Sequence, residues 1–469
     1  MRMVFLPEVC GVPRIGSLCL LEVHQGGRWM TGRGPVSDTG DRQRPSNIRW
    51  RIMAILVFVS FVSYLLRGNL SIAGPAMVQD LQLTEVQWGW IMAAFPLGYA
   101  LFQFPGGYWG DRRGPRFTMA AITIAWAVLI AVTSLTPARD VAPLYLVIGF
   151  LLTVQFLVGA SHAPVFPIMV AAIERWFPPG GWALPNGLTS AGLTVGLAVT
   201  ASALPWLIDQ YGWRTGFLAL APFAFVAGAL WWWYSRDHPA DHPGVNTAEL
   251  TLLTSPAGHR AAEGCTEAAW RRVLKNRDAL LVTLSYASMN FVFYVVFSWG
   301  YYYMVTVREM GAQEAGFLTS AQWLAGAAGA FTGGWLGDRF CIKYGVRWGC
   351  RMPIVIGCSA SALLLIGVAL HPDAYVAAFM LGACFFFNQF TEGAFGANGA
   401  AIGGRHAGAV YGLFNTGANL MGFANALLLS AIAATLGWKV AIASGAAFAM
   451  LSVTFIVFSR ADMQMDQSD

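Results

Sequence analysis

Twelve stretches of the chain are apolar for about 20 residues, the length a helix needs to cross a bilayer. They lie near residues 52–74, 87–109, 117–136, 142–170, 186–208 and 214–234, then 279–305, 315–337, 353–371, 374–396, 408–431 and 437–459. Each predicts a membrane-spanning helix. The one long polar stretch between them is 235–278, where Trp270-Arg271-Arg272-Val273-Leu274-Lys275 forms a helix-like patch just before span seven. The pattern divides the chain into a leader (1–48), a six-helix half (49–234), a linker (235–278), a second six-helix half (279–460) and a tail (461–469). The expected fold class is an all-α integral membrane protein of twelve helices in two halves. The leader holds an apolar patch, Ile15 to Val23, too short to span and flanked by Arg14 and Glu22. Without a clean cleavage site it reads as a disordered leader, or as sequence ahead of a true start at Met30, and not as a signal peptide. A regulatory tail is the alternative.

Composition removes other classes. Of 469 residues, 56% are hydrophobic and 11% charged, with a mean hydropathy of +0.54, whereas soluble domains carry roughly 25% charged residues. A soluble enzyme, a nucleic-acid binder and a disordered scaffold are excluded on that ground. The 52 glycines and the 14% aromatic content suit packed, interface-anchored helices. The net charge of +5 matters less than its placement. Twenty-four of the 29 Lys and Arg fall before span one, in the even-to-odd loops, in the linker or in the tail; four (Arg139, Arg214, Arg308, Lys439) fall on the other side, and Arg67 lies inside span one. Both termini are therefore expected in the cytoplasm. The cluster Trp231-Trp232-Trp233-Tyr234 reads as an interface belt at the cytoplasmic end of span six. Seven cysteines form no CxxC pair and no metal spacing, and neither metal nor cofactor is expected.

After span two the chain reads Gly106-Gly107-Tyr108-Trp109-Gly110-Asp111-Arg112-Arg113-Gly114-Pro115-Arg116; after span eight it reads Gly333-Gly334-Trp335-Leu336-Gly337-Asp338-Arg339. Asp111 and Asp338 are 227 residues apart, close to half the chain, which signals a duplicated transporter fold. The glycines let helices two and eight approach their neighbours. Each Asp suits a helix-end cap or a pairing with Arg at the rim, a latch that breaks and re-forms as the halves rock. Gly107, Asp111, Arg112, Arg116, Asp338 and Arg339 are thus the candidate gating residues.

These motifs resemble the major facilitator superfamily, whose loop signature is G-x-x-x-D-R-x-G-x-R, over residues 50–460. Within it the chain is similar to the anion:cation symporter branch, which includes sugar-acid carriers. Three stretches carry that likeness. Tyr64-Leu65-Leu66-Arg67-Gly68-Asn69-Leu70 is similar to Y-x-D-R-x-N-L. Spans two and four contribute Ala94-Phe95, Tyr99, Gln103-Phe104-Pro105-Gly106-Gly107, Ala163-Pro164-Val165-Phe166-Pro167 and Trp176-Phe177-Pro178. Near span eleven stand Gly403-Gly404-Arg405-His406-Ala407-Gly408 and Gly412-Leu413-Phe414-Asn415. The resemblance implies a monomeric secondary transporter in a bacterial inner membrane that imports an organic anion, a sugar acid or other carboxylate, with protons. The alternatives are a proton-linked exporter or facilitator of a neutral or cationic molecule, and a receptor on a transporter scaffold. No HExxH, GxSxG or Walker-type motif marks an enzyme.

An ionisable group inside a span costs at least ~2.5–3.5 kcal/mol to insert, so its default reading is functional. Arg67 has Tyr64 one turn before it on the same face, a cation beside a phenol suited to hold a carboxylate. The resemblance implies that role. The chain departs from the branch where it has acids and a second Arg: Leu66 precedes Arg67, Gln155 stands early in span four, and His162 follows seven residues on. A replacement acid is offered by span ten, where Asn388 and Glu392 stand at i,i+4 with Phe395 beyond, one polar face in an apolar helix. Glu392, with His162, is the candidate proton carrier. The substrate cavity is expected to be lined by Arg67, Tyr64, Tyr99, Gln103, Gln155, His162, Trp299, Asn388, Asn415 and Asn419. Trp299 falls in Ser298-Trp299-Gly300-Tyr301-Tyr302-Tyr303, which lacks the proline of the family's T-W-x-P-x-Y-L.

Overall fold

Glycine and proline, more than polar loops, punctuate the helices. The computed structural model describes residues 44–178, 183–253, 272–403 and 407–460; residues 1–43 of the leader, 254–271 of the linker and the tail from 461 lie outside them. Helix α1 covers Ile48–Asp80, α2 Glu85–Arg113, α3 Pro115–Ser134 and α4 Leu144–Trp176. The run Ala183–Tyr234 divides at Gly212 into α5 and α6. Helix α7 is Arg277–Val307, and Ala312–Leu370 divides at Gly345 into α8 and α9. Then come α10 (Ala374–Gly403), α11 (Ala407–Leu436) and α12 (Trp438–Phe458). The described residues contain no strand. The twelve apolar runs each centre on one of these helices, and the protein is an integral membrane protein.

The duplication is visible in the backbone. Four glycines adopt positive φ: Gly114, Gly212, Gly345 and Gly437, with φ of 80°, 78°, 80° and 85°. They stand at the α2–α3, α5–α6, α8–α9 and α11–α12 junctions, the same two junctions in each half, where a side chain would be strained. The mid-helix breaks repeat as well. Helix α4 is interrupted at Ala163 and Pro164, and α10 at Phe390 and Thr391, each pair 227 residues apart like the aspartates. Proline removes a backbone donor at the first break. The second has no proline; there the Thr391 hydroxyl donates to the Asn388 carbonyl at 2.7 Å, a local bond that competes with the helix ladder.

Within the first half α1 packs on α5, α2 on α4 and α3 on α6; within the second α7 packs on α11 and α12, and α8 and α9 on α10. The halves meet where α2 packs on α11 and α5 on α8. At the second seam the Ser320 hydroxyl donates to the Ala198 carbonyl at 2.7 Å. Close approach of α2 and α4 needs Gly159, because a Cβ there would strike the Phe95 carbonyl, whereas one on Gly149 of the same helix would meet nothing. We expect Gly159→Ala to cost about 1–3 kcal/mol and Gly149→Ala to cost nothing, read as melting temperature in detergent.

The linker is partly structured. Glu249, fully buried in the short helix Thr247–Leu253, accepts from the backbone amides of Ile48 (3.0 Å) and Arg49 (3.1 Å) and from the Ser46 hydroxyl. It so caps the first turn of α1, where four amides lack helical partners. Asp237 does the same for α3, accepting from the Arg116 amide at 2.9 Å.

Candidate functional site

Arg67 is the last residue of the first part of α1, ahead of Gly68. A Cβ on Gly68 would lie 2.6 Å from the Leu197 side chain of α5, so glycine permits the packing that sets where the guanidinium sits. Its Nη1 donates to the Tyr64 hydroxyl at 3.1 Å and its Nη2 to the Tyr294 hydroxyl at 3.0 Å. Tyr294 donates to Asn419 Oδ1 (3.1 Å), and Asn419 Nδ2 donates to Asn415 Oδ1 (3.0 Å). Tyr99 joins by a side-chain hydrogen bond to Asn415. The chain of bonds therefore links α1 and α2 to α7 and α11, one half to the other. The rings of Tyr64, Phe95, Tyr99 and Phe297 surround the guanidinium with centroids 5.2–5.5 Å away, a cation–π setting. Arg67 Nε has no partner. Among the described residues the ion pairs are Arg175–Asp237 and Arg214–Asp80, so the Arg67 cation has no carboxylate beside it.

These groups face a cavity of about 870 Å³. Its lining draws on α1, α2, α4 and α5 from one half and α7, α8, α10 and α11 from the other. Every contribution comes from the middle of its helix or from the part nearer the end of the bundle where α1 starts. The opposite end is packed. There Trp299 and Tyr302 lie against Trp438, with centroids 5.6 Å apart in both pairs. The Trp438 indole in turn donates to Glu85 Oε1 at 2.7 Å, bridging the two halves.

Glu392 faces the same cavity from α10. The Tyr286 hydroxyl lies 3.3 Å from both of its carboxyl oxygens, and the Tyr286 ring packs on Phe395 (5.0 Å) and Phe414 (5.6 Å).

The structure brings Tyr64, Arg67, Tyr99, Gln103, Glu392, Asn415 and Asn419 to this cavity, and leaves Gln155, His162, Trp299 and Asn388 out of its lining. His162 is 1% exposed; its Nδ1 pairs with the Val158 carbonyl at 2.8 Å and its ring stacks on Trp126 at 4.3 Å. The Phe95 ring touches both His162 (5.5 Å) and Arg67 (5.4 Å), so an aromatic layer stands where contact with substrate was expected. Gln155 is buried in the same helix. Trp299 belongs to the packed end. The single polar face expected for Asn388, Glu392 and Phe395 is corrected by the break at 390–391: Asn388 Nδ2 turns to the Met289 carbonyl at 3.2 Å, while Glu392 and Phe395 reach the cavity.

The side chains of Gly107, Asp111 and Asp338 lie outside what the structure describes, as do residues 404–406 of the span-eleven motif. Arg116 donates from Nε (3.1 Å) and Nη2 (2.9 Å) to the Trp232 carbonyl, and Arg339 lies 3.8 Å over the Trp335 ring. Tyr294 and Tyr286 escaped sequence reasoning. A signal for Tyr294 existed: it stands 227 residues after Arg67, the register of the repeated motif.

A pseudo-symmetric twelve-helix bundle with a midplane cavity between its halves is the architecture of alternating-access carriers, and comparison with known proteins decides the family. The sequence profile of the Major Facilitator Superfamily matches residues 56–426. The chain belongs to the major facilitator superfamily. It is 28% identical over 404 residues (83% of this chain, 86% of the relative) to a probable galactarate/D-glucarate transporter of Bacillus subtilis. It is 25% identical over 375 residues (80% and 85%) to a probable sulfoacetate transporter of Cupriavidus necator. Its fold is similar to a bacterial homolog of the human lysosomal transporter Spinster in an inward-facing, occupied conformation, with a TM-score of 0.70 at 18% identity, covering 87% of this chain and 96% of that one. This superfamily protein is a transporter and not an enzyme.

Proposed function

We propose that this protein imports a small organic anion together with protons by alternating access. The observation that carries the reading is Arg67: a cation inside the bundle, walled by rings, with an unpartnered Nε and no described carboxylate beside it. Such a group stays charged and needs an anion in a site of this kind. The printed names of the relatives, glucarate and sulfoacetate carriers, fit an anionic cargo. Glu392, whose partner in the structure is the neutral Tyr286, takes the proton, and His162 is too enclosed by Trp126 and Phe95 to meet substrate. The lysine- and arginine-rich end is the cytoplasmic one, in a bacterial inner membrane. A cavity lying toward that end makes this an inward-facing state, with the Trp438–Glu85 bridge closing the outside. A monomer suffices, because one chain encloses the site. The repeated glycine–aspartate–arginine loops serve as the cytoplasmic latch when the halves rock the other way.

The test is uptake of labelled organic acids into proteoliposomes with an acidic exterior. Accumulation above the external concentration, abolished by a proton ionophore, is expected. Uptake indifferent to the pH gradient would remove the coupling, and no uptake of any organic acid would remove the anion.

A further inference from the structure

The cavity is unusually aromatic and poor in free hydrogen-bonding groups. Eleven of its thirty lining residues are Phe, Tyr or Trp, against 14% of the chain. Phe293, Trp323 and Phe385 form one wall, with centroids 4.6–6.1 Å apart. Along α8 that wall continues into Gly326, Ala327 and Ala330, which leave a flat opening beside the rings. The polar groups are mostly engaged within the protein. Asn290 Nδ2 donates to the Tyr286 carbonyl, and Asn419 to Asn415. The Ser190 and Thr194 hydroxyls donate to carbonyls of their own helix. Every lining tyrosine hydroxyl is hydrogen-bonded in the protein. What remains is one donor, Arg67 Nε, and two acceptors, Gln103 Oε1 and Gln389 Oε1.

A polyhydroxylated acid entering this site would leave most of its hydroxyls unpaired, and each buried unpaired hydroxyl weakens binding roughly 5- to 150-fold. A planar ring instead meets matching surfaces, in offset or edge-to-face contact. We infer that the cargo is an aromatic carboxylate bearing no more than one or two hydroxyl groups, its carboxylate on Arg67 and its ring against Phe293, Trp323 and Phe385. The Gln103 and Gln389 carbonyls accept from ring hydroxyls. This inference rests on the organic-anion reading above and departs from the polyhydroxylated acids named for one of its relatives.

Calorimetric titration of the purified full chain with 4-hydroxybenzoate, 3-phenylpropionate, D-glucarate and galacturonate tests it. The aromatic acids are expected to bind at least ~10-fold tighter than either sugar acid. Trp323→Leu, checked for an unchanged melting temperature, should weaken 4-hydroxybenzoate by about 2- to 10-fold. Tighter binding of glucarate or galacturonate overturns the aromatic assignment while leaving the anion site intact. Binding of none of the four acids overturns both readings. The wild-type comparison decides the matter even if the Trp323 variant fails to fold.

Discussion

Arg67→Ala is expected to lower the affinity for the transported carboxylate by about 100-fold or more, with the protein still folded. Truncating one member of a buried, hydrogen-bonded charge pair costs about 2–5 kcal/mol, and Arg67 is the cation through which the cavity meets an anion. The variant also strands the Tyr64 and Tyr294 hydroxyls, which lose their donor. Arg67→Lys separates charge from geometry. The ammonium keeps the charge, but it lacks the planar fork that reaches Tyr64 and Tyr294 while leaving Nε for the ligand. An intermediate loss of about 10-fold is expected, because one directional charge-assisted bond is worth roughly 1.5–3 kcal/mol. Titration of ligand into the three purified proteins reads all of this. Equal affinity in wild type and Arg67→Ala would make the arginine a brace between the halves.

Glu392→Gln should separate transport from coupling. One proton per carboxylate lets a gradient of one pH unit sustain about 10-fold accumulation, since each unit is worth about 1.36 kcal/mol. The amide keeps the size of the carboxyl and its contact with Tyr286, yet takes up no proton. Accumulation in proteoliposomes should therefore fall to a ratio of about 1, while exchange of labelled for unlabelled ligand at equal pH continues. If the Glu392→Gln variant still concentrates its ligand on a pH gradient, the proton belongs to another group. The aromatic surroundings of Glu392, Phe395 and Phe414 with Tyr286, make a persistent charge there costly, which is the physical reason to place a proton carrier at this position.

Part of the site was legible before any coordinates. Arg67, Tyr64, Tyr99, Gln103, Glu392, Asn415 and Asn419 all line the cavity, and each is a polar or aromatic residue within an apolar run. The other four expected residues fail for identifiable reasons. Gln155 and His162 share a face of α4, but spacing along one helix does not say whether that face meets the cavity or another helix; at His162 it meets Trp126 and Phe95. Asn388 was assigned its direction on the assumption of an unbroken helix. The break beside it carries no proline or glycine, because a threonine hydroxyl makes it. Trp299 matched a motif, yet its segment Val295–Trp299 is π-helical, and its ring joins the closed end.

Hydrophobic run length, the placement of Lys and Arg and a motif repeated at 227 residues were sufficient to determine twelve membrane helices, a duplicated architecture and the cation at its centre, because these depend on transfer from water to lipid and on local order along the chain. The pairing of Arg67 with its repeat-related Tyr294, the seal of Trp438 on Glu85, the capping of α1 by Glu249 and the balance of rings over free polar groups in the cavity were decided only by the tertiary structure. Each joins residues remote in sequence, and a helix's own periodicity specifies which side chains share a face but not which neighbour that face will meet.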